Sequence, residues 1–320
     1  MRRKLPAALA LTALLLTSAC GGGSADSSSK SKSSASSSVK VTGAFGSAPT
    51  VKFSSPLKVK KTNIEVVTKG DGQALKAGQT ALVHLTLENG ATGKAIGSTY
   101  DQGTPTTVQD DTTSLPQPLV TALTGKTQGS RVAVTASAGD IYGSTGNAQL
   151  KLKATDGVVI VFDILAVQAQ NPLSGPQGTK TPLPAGAPKI VEKAGKITTL
   201  DFSKADKKPA KKLKVIKLVT GTGPKATAGS LLTINYVGQI YGKKTPFNNT
   251  FTTGKPATFG LGIGGLIKAW DQALVGVPVG SRVMLIAPPS VAYGAAGKPD
   301  GGIPKNATLV FVIDVLGVSK

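Results

Sequence analysis

A self-similarity at one fixed spacing constrains this chain more than any other feature in it. Gly70-Asp-Gly72 is answered by Gly221-Thr-Gly223, Ala77-Gly78 by Ala228-Gly229, and Gly129-Ser-Arg131 by Gly280-Ser-Arg282. Tyr142-Gly-Ser144 is likewise answered by Tyr293-Gly-Ala295, and the separation is 151 positions each time (221−70, 280−129, 293−142). Val161-Phe-Asp163 keeps the same offset from Val312-Ile-Asp314. A constant offset over such a span predicts two copies of one domain with hardly a net insertion. Each copy is too long and too varied inside to be a solenoid unit, and 320 residues supply apolar side chains for two cores. From Pro49 onward, short runs of Val, Ile, Thr and Leu are broken by Gly, Asp and Pro, the punctuation of β-strands.

Ahead of the repeat the chain reads as an export and anchoring segment. Met1–Lys4 is basic and Leu5–Leu16 apolar. That run is too short to span a bilayer, which needs about twenty residues, and it fits a secretory leader. Thr17-Ser-Ala-Cys20 resembles a bacterial lipobox, with the usual Leu one place early at Leu16. Cys20 would then carry lipid at the mature N-terminus and hold the protein at a membrane. The stretch 20–48, rich in Gly, Ser and Lys, reads as a flexible tether. The division expected is therefore leader 1–19, tether 20–48, first domain 49–170, linker 171–187 and second domain 188–320. Pro188–Phe202 reads as an N-terminal edge strand of the second domain, and Ser203–Lys212 as a solvated basic loop.

Charge narrows the choice of partners. The net charge is +21, with nine basic against three acidic residues in 171–212 and eleven against three in 213–320. Nucleic acid is the first candidate for such an excess. Arg is scarce, however, no basic helix has regular spacing, and the chain is read as exported. No nucleic-acid partner is expected, and an anionic envelope polymer or a solvated surface fits the excess better. One Cys and one His exclude an intrachain disulfide and an ordinary zinc site. Gly260-Leu-Gly-Ile-Gly-Gly265 spells a dinucleotide fingerprint, but no carboxylate occurs in 280–290, where the motif requires one. No cofactor or metal is expected.

The C-terminal half concentrates the chemistry. Phe259–Leu274 holds the one Trp of the chain, and Ile267, Trp270, Ala273 and Leu274 fall at helical spacing. Gly276 and Pro278 end that helix, and a helix so short must lie against a sheet. Ser281–Ala287 and Ala307–Val318 are β-rich runs that supply one. An aromatic floor inside a small curved sheet makes an apolar cup, and a cup is a candidate binding site.

Several motifs, taken in order, carry a resemblance over most of residues 213–320. They are Gly221-Thr-Gly223, Ile234-Asn-Tyr236-Val-Gly238, Leu266-Ile267-Lys-Ala-Trp270, Val279-Gly-Ser-Arg282, Tyr293-Gly294 and Gly302-Ile303-Pro304 leading to Ala307–Phe311. This half resembles the FKBP-type peptidyl-prolyl isomerase family. The resemblance implies an α+β fold: two tandem domains, each an antiparallel, curved sheet of five or six strands wrapped around one short helix. It also implies a catalytic cup of Tyr236, Phe247, Asn248, Ile267, Trp270, Tyr293 and Phe311. Phe259, Leu266 and Ile303 would complete its substrate-binding wall. The Tyr293 hydroxyl and the Ile267 backbone N–H would hold substrate carbonyls, with Trp270 as floor. Asn248 stands where the family usually has Asp, which implies reduced activity, and Ala257 stands where an aromatic is frequent.

The chemistry can be argued without the family. Rotating an X–Pro amide costs about 18–20 kcal/mol through lost resonance. The half-rotated amide is less polar, so a dry apolar site with one or two donors favours it over either planar isomer. At the offset of 151 the first copy replaces Tyr236 by Leu85, Phe247 by Ile96, Asn248 by Gly97, Ile267 by Pro116, Trp270 by Leu119 and Phe311 by Ile160. Tyr142 alone keeps its aromatic partner, so the fold is expected to survive there without the cup. His84, between Val83 and Leu85, is expected to face outward from a strand. Two functions remain open: a lipid-anchored, extracytoplasmic prolyl isomerase acting on proline-containing exported polypeptides, or a non-catalytic scaffold lipoprotein that binds polypeptide or envelope components.

Overall fold

The computed structural model describes residues 39–319, in two compact units, one ending at Val167 and the other running from Gln168. The leader, Cys20 and the tether as far as residue 38 lie outside the described residues. Among those described, no helix is long and apolar enough to cross a membrane.

The first unit opens with a hairpin, β1 (Lys40–Thr42) and β2 (Thr50–Lys52). Its main sheet has six antiparallel strands: β3 (Asn63–Thr68), β4 (Thr80–Asn89), β5 (Lys94–Ser98), β6 (Thr106–Gln109), β7 (Arg131–Ser137) and β8 (Gly157–Val167). Their order is β3-β7-β8-β4-β5, with β6 also on β4. Helix α1 (Gln117–Leu123) lies between β6 and β7, and the short α2 (Ala138–Tyr142) follows β7.

The second unit repeats this plan. Its main sheet has seven strands: β9 (Gly178–Lys180), β12 (Lys214–Gly221), β13 (Leu231–Ile240), β14 (Pro246–Asn249), β15 (Ala257–Gly260), β16 (Arg282–Ala287) and β17 (Leu309–Val318). A separate hairpin is formed by β10 (Lys189–Lys193) and β11 (Lys196–Asp201), and the helices are α3 (Thr250–Thr253) and α4 (Lys268–Leu274). The offset seen in the sequence is structural: β4 and β13, β6 and β15, α1 and α4, and β7 and β16 begin 151 positions apart (231−80, 257−106, 268−117, 282−131).

Three expectations need correcting. The supposed linker 171–187 belongs to the second unit: β9 pairs with the edge of β12, and Leu173 N–H donates to Leu316 O at 2.8 Å. The supposed edge strand 188–202 turns back on itself as the β10–β11 hairpin. The end of the supposed tether is strand β1.

Both hairpins answer one physical problem. In β17, Leu309, Phe311, Ile313 and Val315 face the cluster that holds α4, while Val310 and Val312 join Ile197 and Leu200 of the hairpin region on the opposite face. In β8, Ile160, Phe162 and Ile164 face α1, whereas Val159 and Val161 pack with Val41 and Val51. A strand covered on both sides reads as a continuous apolar run, and each unit needs a cover on each face. An ion pair sits on the hairpin side of each sheet. Arg131 Nε and Nη2 donate to Asp163 at 2.6 and 2.7 Å, and Nη1 and Nη2 reach Gly43 O and Ser47 O of the β1–β2 loop. Arg282 makes the same fork on Asp314 at 2.6 and 2.8 Å and reaches Glu192 of β10 at 3.3 Å. Planar guanidinium suits this double task, since one fork grips the sheet while the remaining donors hold the hairpin.

A candidate prolyl isomerase cup

The second unit holds a cavity of about 550 Å³ above α4. All ten expected residues line it: Tyr236 on β13, Phe247 and Asn248 on β14, Phe259 on β15, Leu266 and Ile267 before α4, Trp270 on α4, Tyr293 and Ile303 on the loop after β16, and Phe311 on β17. Trp270 is the hub. Tyr236, Phe259 and Phe311 stand on its ring at centroid distances of 5.1, 5.6 and 5.3 Å and interplanar angles of 83°, 83° and 86°. Phe247 in turn meets Phe311 edge to face at 5.8 Å. Each such pair contributes about 0.5–1.5 kcal/mol beyond its buried area. Planar rings standing upright on a planar floor leave a slot between them, and that slot is the cup.

The local sequence explains how each part is held. Ile267 is the N-cap of α4 in an extended conformation (φ −65°, ψ 145°) without a side-chain cap. N–H groups at a helix start have no partner within the helix, which leaves donors at the cup wall. The glycine-rich approach to α4 is pinned by Gly262 N–H donating to Asp271 Oδ1 at 2.8 Å. A bridge between Lys298 and Ile303 closes the loop that presents Ile303. The Trp270 indole Nε1 is buried with no hydrogen-bond partner. Burial, with the neighbouring Tyr293 second, pushes the Tyr236 hydroxyl above the usual phenol range, so it stays protonated and able to donate at neutral pH. Lys298 Nζ lies 5.6 Å from the Tyr293 ring centroid.

Gly238 on β13 is buried against two rings of the cup, a role the sequence did not disclose. A Cβ built there would stand 2.6 Å from Phe247 Cζ and 2.9 Å from Phe311 Cε1. Only a residue without a side chain lets those two rings close against β13. In the sequence it shows only as the last residue of the Ile234–Gly238 motif and as the position where the first copy has Leu87, at the offset of 151 (238−87).

His84 also differs from expectation. Its strand face is opposite to the core, but that face is covered: the ring stacks on Tyr100 at 4.0 Å, and Nδ1 is 2.8 Å from Thr99 Oγ1. Burial holds its pKa below the usual histidine value, with the Asp163 charge opposing. Among the described residues no cluster of His, Cys, Asp and Glu could hold a metal ion.

The model of the FKBP-type peptidyl-prolyl cis-trans isomerase family matches residues 223–316. An FK506-binding protein of Streptomyces anulatus is 37% identical over 110 residues, covering 34% of this chain and 89% of that protein. A peptidyl-prolyl cis-trans isomerase of Saccharomyces cerevisiae is 39% identical over 96 residues, covering 30% and 70% of the two chains. The Escherichia coli isomerase FkpA is 38% identical over 104 residues, but only 36% of it is covered. Its crystal structure aligns at 34% identity with a TM-score of 0.31, over 33% of this chain and 48% of that one. The chain belongs to the FKBP-type peptidyl-prolyl cis-trans isomerase family.

As an isomerase site the cup needs no nucleophile. Rings arranged in this way would exclude water from an X–Pro amide placed among them, removing the solvation that favours the planar, polar form. Donors at the rim can hold the flanking carbonyls while the bond turns. The interactions that matter are those stronger in the twisted state than in either planar one.

Proposed function

We propose that this protein is a lipid-anchored, extracytoplasmic prolyl isomerase that speeds folding of exported, proline-containing polypeptides, with its activity in the second unit. The observation that carries the catalytic assignment is the ring of aromatics standing on Trp270. Export and anchoring rest on the basic and apolar leader and on Cys20. Uncatalysed proline isomerisation takes about 10–100 s, slow enough to limit folding of a newly exported chain. The first unit serves as a spacer or polypeptide-holding module, and the exposed lysines of 204–212 offer a contact for anionic envelope polymers.

Expression of the whole chain with Cys20→Ala tests the anchor. The unaltered protein is expected in the membrane fraction and the variant in the soluble extracytoplasmic fraction. Equal distribution of the two would remove the lipid anchor from the account. Protease protection of both in intact cells would remove the extracytoplasmic location.

A further inference from the structure

A second cavity, of about 870 Å³, adjoins the cup and shares Phe247, Gly301 and Ile303 with it. Ile240, Pro246 and Pro304 give this groove its apolar lining, and Lys243, Lys244 and Lys305 stand exposed along it. The cup itself is lined by Lys268 and Lys298 as well. No carboxylate lies among the residues lining either cavity.

The acids of this region are committed elsewhere. Between 213 and 320 there are three: Asp271, Asp300 and Asp314. Asp271 accepts from Gly262 N–H, and Asp314 is gripped by Arg282. Asp300 is exposed on the loop beside the groove and lines neither cavity. Five of the eleven basic residues of 213–320 therefore line two joined cavities that no carboxylate lines, although Asp206, whose backbone carbonyl accepts from the Tyr241 hydroxyl, stands exposed on a neighbouring loop. Charges of one sign along a cleft steer and select ligands of the other sign.

We propose that the groove receives the polypeptide on one side of the proline and selects acidic residues there. The cup takes the X–Pro pair, and an Asp or Glu roughly two to four residues away, at about 3.3 Å per extended residue, lies among Lys243, Lys244 and Lys305. This rests on the isomerase reading of the cup and narrows its substrates to acidic, proline-containing segments. An extended chain leaving the cup across Phe247 and Ile303 enters the groove directly, because those residues belong to both.

The test uses the full chain and two series of peptides around one X–Pro bond, with Glu-Glu, Ala-Ala or Lys-Lys placed before the pair in one series and after it in the other. NMR titration reads binding, and exchange NMR reads isomerisation. Glu peptides of one series are expected to bind roughly three- to tenfold more tightly than Lys peptides, the scale of exposed charge pairs. The preference should shrink as salt rises. Lys243→Glu with Lys244→Glu is expected to invert it. Equal binding of Glu and Lys peptides in both series overturns the proposal, as does a preference that the double variant leaves intact. Failure of the isomerase reading is seen separately, as peptides that bind without faster exchange.

Discussion

The two units share a frame and differ in what fills it. Where the second unit has Tyr236, Phe259, Leu266, Trp270 and Phe311, the first has Leu85, Val108, Leu115, Leu119 and Ile160, all within one continuous buried core. Leu119 and Ile160 are fully buried, whereas Tyr236, Phe247 and Phe259 are half-buried around open space. Tyr142, the counterpart of Tyr293, is buried with its hydroxyl unpartnered, and burial pushes its pKa up to about 12. Pro116 replaces Ile267 and removes the backbone N–H at the helix start. Branched aliphatic side chains interdigitate to close packing; rings braced at right angles keep a slot. A handful of positions thus separates an open cup from a solid core, while β4, β6, α1 and β7 keep their starts at the offset of 151 from β13, β15, α4 and β16.

Gly238→Leu should break the difference most strongly, because it copies Leu87 into the cup. The new side chain must displace Phe247 and Phe311. Isomerase activity of the full chain is expected to fall at least about tenfold, at a stability cost of about 1–3 kcal/mol for overpacking. A folded variant with unchanged exchange rates would mean that the slot between these rings is not where the bond turns.

A smaller effect is expected at Asp110, which is buried where the second unit has Leu261 (261−110 is again 151). Burial raises the Asp110 pKa, with Thr124 Oγ1 opposing by donating to Oδ2, while Oδ1 has no partner. A carboxyl whose folded pKa exceeds its unfolded value destabilises the fold at neutral pH. That penalty fades as the pH falls through the folded value towards the unfolded one. Asp110→Asn should therefore stabilise the first unit by on the order of 1 kcal/mol at pH 7, with the gain vanishing near pH 4. Denaturant melts across that range would reveal the trend, and a gain independent of pH would contradict it.

Asn248→Asp is expected to change least. Asn248 lines the cup as an exposed residue, and Lys268 and Lys298 line the same cavity. Restoring the family's carboxylate should raise the rate by less than about threefold, the scale of an exposed charge. A larger gain in exchange kinetics would make this side chain a principal determinant of the rate.

The offset of 151 made the doubled frame legible, and the family resemblance carried by the ordered motifs named ten residues that line one cavity. What stayed hidden was held by backbone or by distant neighbours. Gly178-Thr-Lys180 has no apolar residue and is exposed throughout, so its pairing to β12 left no pattern in the sequence. Lys40-Val-Thr42 is too short to show alternation, and it sits beside a Ser- and Lys-rich stretch. The cover over His84 comes from Tyr100, sixteen residues on (100−84), which strand periodicity cannot reveal. The role of Gly238 lies in the side chain it lacks.

The most direct measurement compares the units apart: residues 39–167 and 168–320, each checked for folding, in exchange NMR on an X–Pro peptide. The second must begin at 168, since β9 completes its sheet. Faster exchange with 168–320 and none with 39–167 is the predicted result. Catalysis by 39–167, or a folded 168–320 that leaves the exchange rate unchanged, would contradict the assignment of activity to the aromatic cup.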